Sequence, residues 1–134
     1  MGTQTLRWRA GDEDFTGTDS FGRDSKIMAG DDAPGLKPSD LLPMSLAACL
    51  GYTIVSLLEK QRQGVRELTA TIESDQDDEP PWRFRRIHVG FVAYGAVDQG
   101  KAQKALDLSH EKWCSVSATL RDSVEMALDI SVAP

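Results

Sequence analysis

Residues 41–58 read LLPMSLAACLGYTIVSLL and contain no charged side chain in 18 positions. A helix that is apolar on nearly all sides is buried inside a fold or an interface, or it spans a membrane. Eighteen residues is the lower edge of transmembrane length. The run is interrupted by a proline and three hydroxyl side chains (Pro43, Ser45, Thr53 and Ser56). The flanking sequence is that of a water-soluble domain, so we expect a buried helix and no membrane association.

The ends of this helix are marked by ordinary capping signals. We expect it to begin within residues 38–40, where oxygen-bearing side chains can cap it, and to end near Gln63, before Gly64. Pro43 leaves two alternatives open. If Asp40 is the cap, Pro43 lies in the first turn and costs no hydrogen bond; if the helix begins earlier, Pro43 is expected to kink it.

The rest of the chain is predicted to form short strands on both sides of this helix, followed by two further helices and a final strand. Residues 73–81 are acidic and contain proline, which predicts a solvated hairpin tip. We see no repeat and no interdomain linker, so we predict one α+β domain over residues 1–134. The predicted strands cover residues 3–9, 14–18, 26–29, 65–72, 84–94 and 123–132, and the predicted helices cover residues 98–110 and 115–120.

Charge and composition exclude several functions. With 15 basic and 21 acidic residues the net charge is −6, which argues against nucleic-acid binding. His88 and His110 stand apart, and the chain has no clustered Cys or His ligands, so we expect no metal site. The first residues lack a basic start followed by an apolar core, so we expect a cytoplasmic protein. In a reducing cytosol, a cysteine pair is more often redox-active than structural.

The two cysteines, Cys49 and Cys114, are 65 positions apart. Cys114 directly precedes a predicted helix, a position that stabilises a thiolate, although a small buried residue fits there equally well. Cys49 lies mid-helix among apolar residues, and taken alone it is typical of an unreactive packed thiol.

Activation of Cys49 would need a cation beside it. The candidates are three basic residues before the helix (Arg23, Arg9 and Lys37). Asp40 is nine residues before Cys49, about 13 Å along a helix axis. A carboxylate there is able to orient an arginine that reaches the thiol.

Two motifs, in this order, resemble those of the OsmC/Ohr family. The first is residues 38–42, PSDLL, which closes on residues 47–49, AAC. The second is residues 113–120, WCSVSATL. The resemblance covers nearly the whole chain, because the order of predicted elements also agrees.

This resemblance implies an α+β fold in which antiparallel sheets pack on two long central helices of an intertwined homodimer. It also implies a peroxidase for organic hydroperoxides that uses no metal, haem or flavin. Cys49 would form a sulfenic acid, and Cys114 would condense with it to a disulfide. A dithiol reductant, of lipoyl type in the family, would reopen the disulfide. Oxidative-stress defence is the implied role.

The sequence departs from the hydroperoxide-reducing branches at one position. Those branches carry a glutamate close after the motif proline, where this chain has Ser39 and then Asp40. The chain therefore resembles the less characterised branches, and Arg23 is the best match for the family arginine. Two alternatives remain open on the same fold: a dimer that binds a small apolar ligand without catalysis, and a thiol redox sensor.

Overall fold

The computed structural model describes residues 2–134 as an α+β chain with six strands, three α-helices and one π-helical segment. The strands are β1 (Thr5–Arg7), β2 (Asp14–Thr18), β3 (Asp24–Met28), β4 (Gly64–Gln76), β5 (Phe84–Ala96) and β6 (Glu125–Ala133). The helices are α1 (Pro38–Lys60), α2 (Gln99–Leu108) and α3 (Ser115–Leu120), and the π-segment (Ser109–Trp113) joins α2 to α3. The predicted α+β class is confirmed.

The uncharged run forms most of α1. Its side chains at helical spacing (Leu46, Leu50, Ile54 and Leu58) are fully buried. The helix begins at Pro38, a favoured first position, so Pro43 lies inside it. The kink expected for that case stays a prediction. By length and composition α1 is able to cross a membrane, and 39% of its most apolar window is buried within the chain.

The carboxyl end of α1 differs from the sequence prediction. Arg62, rather than Gly64, adopts the left-handed conformation, with φ +57°. The N–H of Arg62 donates to the carbonyl of Glu59 at 3.0 Å, and that of Gln63 to the carbonyl of Leu58 at 2.9 Å. These two bonds form a Schellman motif, which satisfies the last carbonyls without glycine. Gly64 instead begins β4.

The chain divides into two compact units, with the boundary between Leu42 and Pro43. In the first unit, β1, β2 and β3 form an antiparallel sheet in that order. Phe15 of β2 pairs with Ile27 of β3. The prediction of a single domain over the whole chain stays a prediction.

The second unit contains a sheet with the order β4-β5-β6, and here the predicted antiparallel arrangement is wrong in part. β4 and β5 are an antiparallel hairpin, but β5 and β6 are parallel, with Val89 opposite Leu128. Parallel neighbours need a long crossover, and α2, the π-segment and α3 supply it. The sheet is therefore mixed.

The predicted acidic loop is also shorter than expected. β4 continues to Gln76, which pairs with Phe84, so Glu73 and Asp75 belong to the strand. Both side chains are exposed on an edge strand, where charged residues discourage pairing with other chains. Backbone pairing with β5 therefore decides the local structure there, and the acidic composition does not.

The hydrophobic core lies on one face of this sheet. The alternating residues of β5 that were predicted to share a face are buried (Ile87, Val89, Phe91 and Ala93). Gly51 of α1 faces them closely: a Cβ at this position would lie 3.4 Å from Leu68 and 3.5 Å from Phe91. α2 adds Ala102, Ala105 and Leu106 to the same core. This packing fixes the middle of α1 against the sheet.

Candidate thiol site

Cys49 lies on α1 between the buried residues Leu46 and Leu50, and its own side chain is half-buried. It opens on a cavity of about 570 Å³. The cavity is lined by apolar, hydroxyl and aromatic side chains and one ammonium group (Cys49, Tyr52, Thr53, Ser56, Leu57, Lys60 and Trp113). A small molecule in this cavity therefore has direct access to the Cys49 sulfur.

The cavity runs along one face of α1. Cys49, Thr53, Ser56 and Lys60 are spaced by four, three and four residues, which places them on one side of a helix. The Lys60 position is about 16 Å from that of Cys49 along the axis. A ligand with an apolar body and a polar end matches such a surface.

Cys114 occupies a tighter place, at the start of α3. Its side chain is 3% exposed, and its Sγ accepts a hydrogen bond from the N–H of Ser117 at 3.2 Å. Its own N–H donates to the carbonyl of Ser109 at 2.9 Å, which closes the π-segment. Backbone hydrogen bonds on both sides therefore hold the Cys114 residue, and one of them reaches its sulfur.

The two thiols interact directly, although 65 positions separate them in the sequence. The Cys49 thiol lies close enough to Cys114 to affect the pKa of the Cys114 thiol, and both cysteines are free. Burial, together with this contact, raises the pKa of the Cys114 thiol to about 11, and the N–H groups of Ser117 and Val116 oppose the shift. At neutral pH Cys114 is therefore almost entirely protonated. The arrangement suits a thiol that attacks only a sulfur already activated beside it.

The sequence analysis missed a second pair of residues around Cys114. Ser117 is fully buried, and its Oγ forms a hydrogen bond with Nδ1 of His110 in the π-segment. The Oγ also lies 3.9 Å from Sδ of Met126 on β6. In the sequence analysis, His110 is treated as a histidine that stands apart from other ligands. Nothing in its spacing indicated Ser117, because the π-segment changes the helical periodicity between them.

The two supporting residues predicted for Cys49 lie in the first unit. Arg23 is exposed in the turn before β3, with its guanidinium carbon 5.0 Å from the centroid of the Phe21 ring. The turn is held by Asp19, whose carboxylate accepts the N–H groups of Phe21 and Arg23. Asp40 is exposed in the first turn of α1. Their roles beside Cys49 stay predictions.

Comparison with known proteins agrees with this fold. Residues 30–129 match the family described as OsmC-like protein. Protein YhfA of Escherichia coli is 32% identical over 99 residues, which cover 73% of this chain and 72% of that protein.

Two solved structures share the fold over nearly the full length. A hypothetical protein from Aquifex aeolicus has a TM-score of 0.86 and 26% identity, covering 99% of this chain and 96% of that one. An organic hydroperoxide resistance protein from Legionella pneumophila has a TM-score of 0.69 and 19% identity, covering 98% and 97%.

Proposed function

Because the chain belongs to the OsmC-like family, we propose that it is a cysteine-based peroxidase that reduces organic hydroperoxides. The observation that carries this proposal is the contact between a half-buried thiol that opens on a cavity, Cys49, and a buried second thiol, Cys114. The family resemblance to proteins named for organic hydroperoxide resistance supports the choice of substrate.

The proposed reaction has three balanced steps. The Cys49 thiolate attacks one oxygen of the peroxide bond, which breaks; Cys49 becomes a sulfenic acid and the other oxygen leaves as an alcohol after taking a proton. Cys114 then attacks the Cys49 sulfur, a disulfide forms, and the sulfenic oxygen leaves as water. A dithiol reductant, a lipoyl-type compound by family resemblance, restores both thiols and is itself oxidised to a disulfide.

The cavity supports a substrate with apolar character. Tyr52, Leu57 and Trp113 provide aromatic and aliphatic surface, and Thr53 and Ser56 provide hydroxyl groups beside the thiol. The chemistry needs no metal or organic cofactor, because sulfur itself carries the two electrons. Arg23, oriented by Asp40, is proposed to stabilise the Cys49 thiolate, as a nearby cation lowers a thiol pKa.

We further propose that the protein acts as a homodimer. A groove of about 810 Å³ between α1 and β4 is lined by small and apolar residues such as Ala48 and Val55, and Tyr52 beside it is 81% exposed. In the first unit, Leu6 and Phe21 are 60% and 79% exposed. A second copy is the proposed cover for the groove and, separately, for the exposed apolar residues of the first unit, since exposed apolar patches mark interfaces.

The dimer is tested by light scattering on Ala48→Glu, with Lys104→Glu on the exposed face of α2 as the matched control. We expect a monomer for the first and a dimer for the second, because a carboxylate buried at an interface without a partner is costly. A monomeric wild-type protein would refute this part of the proposal.

The peroxidase activity is tested with cumene hydroperoxide and mass spectrometry of the intact protein. One equivalent should convert both thiols to the Cys49–Cys114 disulfide, with a mass loss of two hydrogen atoms. In Cys114→Ser, oxidation should stop at the Cys49 sulfenic acid, which dimedone traps. If neither thiol reacts within minutes, the peroxidase proposal is refuted and the alternative of a ligand-binding dimer is favoured. If both react but dithiols give no turnover, it is a thiol redox sensor.

A further inference from the structure

The hydrogen bonds around Ser117 connect the Cys114 thiol to a histidine. The backbone N–H of Ser117 donates to Sγ of Cys114 at 3.2 Å, and the side chain of the same residue bonds Nδ1 of His110. Ser117 is therefore tied to the thiol through its backbone and to the imidazole through its hydroxyl. Its complete burial keeps water from replacing either bond.

His110 is itself held from two directions. It belongs to the π-segment, which is anchored by Ser109, whose Oγ donates to the carbonyl of Ala105 at 2.7 Å. Arg121, just after α3, donates from Nη2 to the carbonyl of His110 at 2.7 Å. π-Helical segments inside helices occur frequently at functional sites. The backbone of His110 is therefore tied to the end of α3, and its imidazole bonds Ser117 within α3.

We propose that His110 is a positioning residue for Cys114, acting through Ser117, and that the pair sets how fast Cys114 attacks a sulfur bonded to Cys49. The inference rests on the proposed function for its biological setting, since that attack is the disulfide-forming step of the proposed reaction.

The physical argument concerns the thiolate that must form on Cys114 before it attacks. Hydrogen bonds to a charged group are stronger than those between neutral groups, so the Ser117 N–H matters most when the sulfur is negative. A donor contributes fully only when its direction is fixed. The His110 bond fixes residue 117, and without it the short helix α3 is free to shift the N–H away from Sγ.

The test uses the aromatic disulfide DTNB, which does not depend on peroxide chemistry. The Cys49 thiolate attacks one sulfur of DTNB, a mixed disulfide forms, and one thionitrobenzoate leaves. Cys114 then attacks the Cys49 sulfur of the mixed disulfide, the Cys49–Cys114 bond forms, and a second thionitrobenzoate leaves. The two releases are followed by absorbance in a stopped-flow instrument. Cys114→Ser should give the first release only, which assigns the two phases.

In His110→Ala we expect the second release to slow by about tenfold, the effect of one weakened hydrogen bond to a charged sulfur, with the first release unchanged. Ser117→Ala should show the same loss. The double variant should be no slower than either single one, because each substitution removes the same hydrogen bond between His110 and Ser117. His110→Asn should recover most of the rate, since its amide is able to bond Ser117. His88→Asn on β5 and Ser115→Ala on the exposed side of α3 are the matched controls and should leave both releases unchanged.

Three outcomes would overturn the inference. A wild-type second release in both His110→Ala and Ser117→Ala would remove any role for the pair. Equal slowing of both releases would indicate general damage to the fold. Additive losses in the double variant would mean that the residues act separately. Failure of wild-type protein to reduce cumene hydroperoxide would refute the proposed peroxidase while leaving this result intact.

Discussion

The surroundings of Cys49 and those of Cys114 are built by different forces. Cys49 belongs to a 23-residue helix whose position is fixed by apolar packing against the sheet, and its thiol opens on a cavity. Cys114 lies at the start of a six-residue helix; its N–H donates to the carbonyl of Ser109, its Sγ accepts from the N–H of Ser117, and Ser117 in turn bonds His110. Apolar packing of α1 thus places the Cys49 sulfur beside a cavity, whereas hydrogen bonds hold Cys114 in a buried position.

In the proposed reaction, this difference determines which of the two thiols reacts first. A thiol on a cavity wall meets a substrate first, and a thiol that is 3% exposed meets only its neighbour. Restraining the second thiol also limits unwanted oxidation, because susceptibility follows thiolate character and exposure.

The difference is tested most strongly by replacing each sulfur. In Cys49→Ser we expect peroxide consumption to fall to background, because the exposed nucleophile is gone. In Cys114→Ser we expect one rapid turnover, followed by over-oxidation of Cys49 to the sulfinic acid when peroxide is in excess. Peroxide consumption and intact-protein mass are the measurements. A Cys49→Ser protein that keeps its rate would reverse the assignment.

The contrast between packing and hydrogen bonding is sharpened by two stability variants. Leu50→Ala removes a fully buried side chain next to Cys49 and should lower the free energy of unfolding by about 2–5 kcal/mol. Ser109→Ala removes the hydroxyl bond to Ala105 and should cost only about 1 kcal/mol. Urea denaturation followed by circular dichroism measures both. Equal losses would mean that the two regions are not held differently.

Alkylation rates give a smaller but direct measure of accessibility. At pH about 8, iodoacetamide should modify Cys49 at least roughly tenfold faster than Cys114, because alkylation needs an accessible thiolate and burial favours the protonated form of Cys114. Peptide mass spectrometry over time separates the two sites. As the pH approaches about 11, modification of Cys114 should accelerate. A faster reaction at Cys114 below pH about 9 would contradict its buried position.

The smallest effect concerns stability at alkaline pH. The pKa of Cys114 is raised from 9.0 to about 11, so the folded protein holds this proton more tightly than the unfolded chain does. The protonated Cys114 thiol makes its full contribution to the free energy of unfolding below pH about 9, and this contribution is lost as the pH rises from about 9 through about 11. Urea denaturation across this window should show a steeper loss in wild type than in Cys114→Ser. Parallel curves would show that the Cys114 environment does not distinguish the two protonation states.

Much of the fold was predictable because its signals are local. The uncharged run located α1, and period-two alternation identified the buried face of β5. The crossover before β6 was predicted as two helices, but its consequence, parallel pairing of β5 with β6, was missed. The direction of β6 depends on the end of the sheet at which the crossover brings the chain back, and no local sequence pattern specifies that end. The extension of β4 through Glu73 and Asp75 was missed for the related reason that pairing with β5 outweighs side-chain charge.

The two cysteines of the candidate site could be identified from the sequence, but the side chains that surround them could not. Cys49 and Cys114 were identified by motif resemblance, which needs no coordinates. His110 and Ser117 were passed over because residues seven positions apart in a regular helix lie two turns from each other, and no sequence rule indicates a π-segment between them. The contribution of Trp113 to the cavity was missed because this side chain reaches the cavity beside Cys49 only through the packing of α1 near the π-segment.

The π-segment has a consequence for how homologous chains are aligned and redesigned. It places one more residue in its turn than an α-helix does, since the bond runs from Cys114 to Ser109, five positions back. Deleting any one of residues 109–112 would restore α-helical spacing and rotate the following backbone by about 100°. The thiol would then leave its partner while every motif letter stayed intact. The number of residues between α2 and α3 is therefore as informative as the cysteine itself when a relative is judged able to form the proposed disulfide.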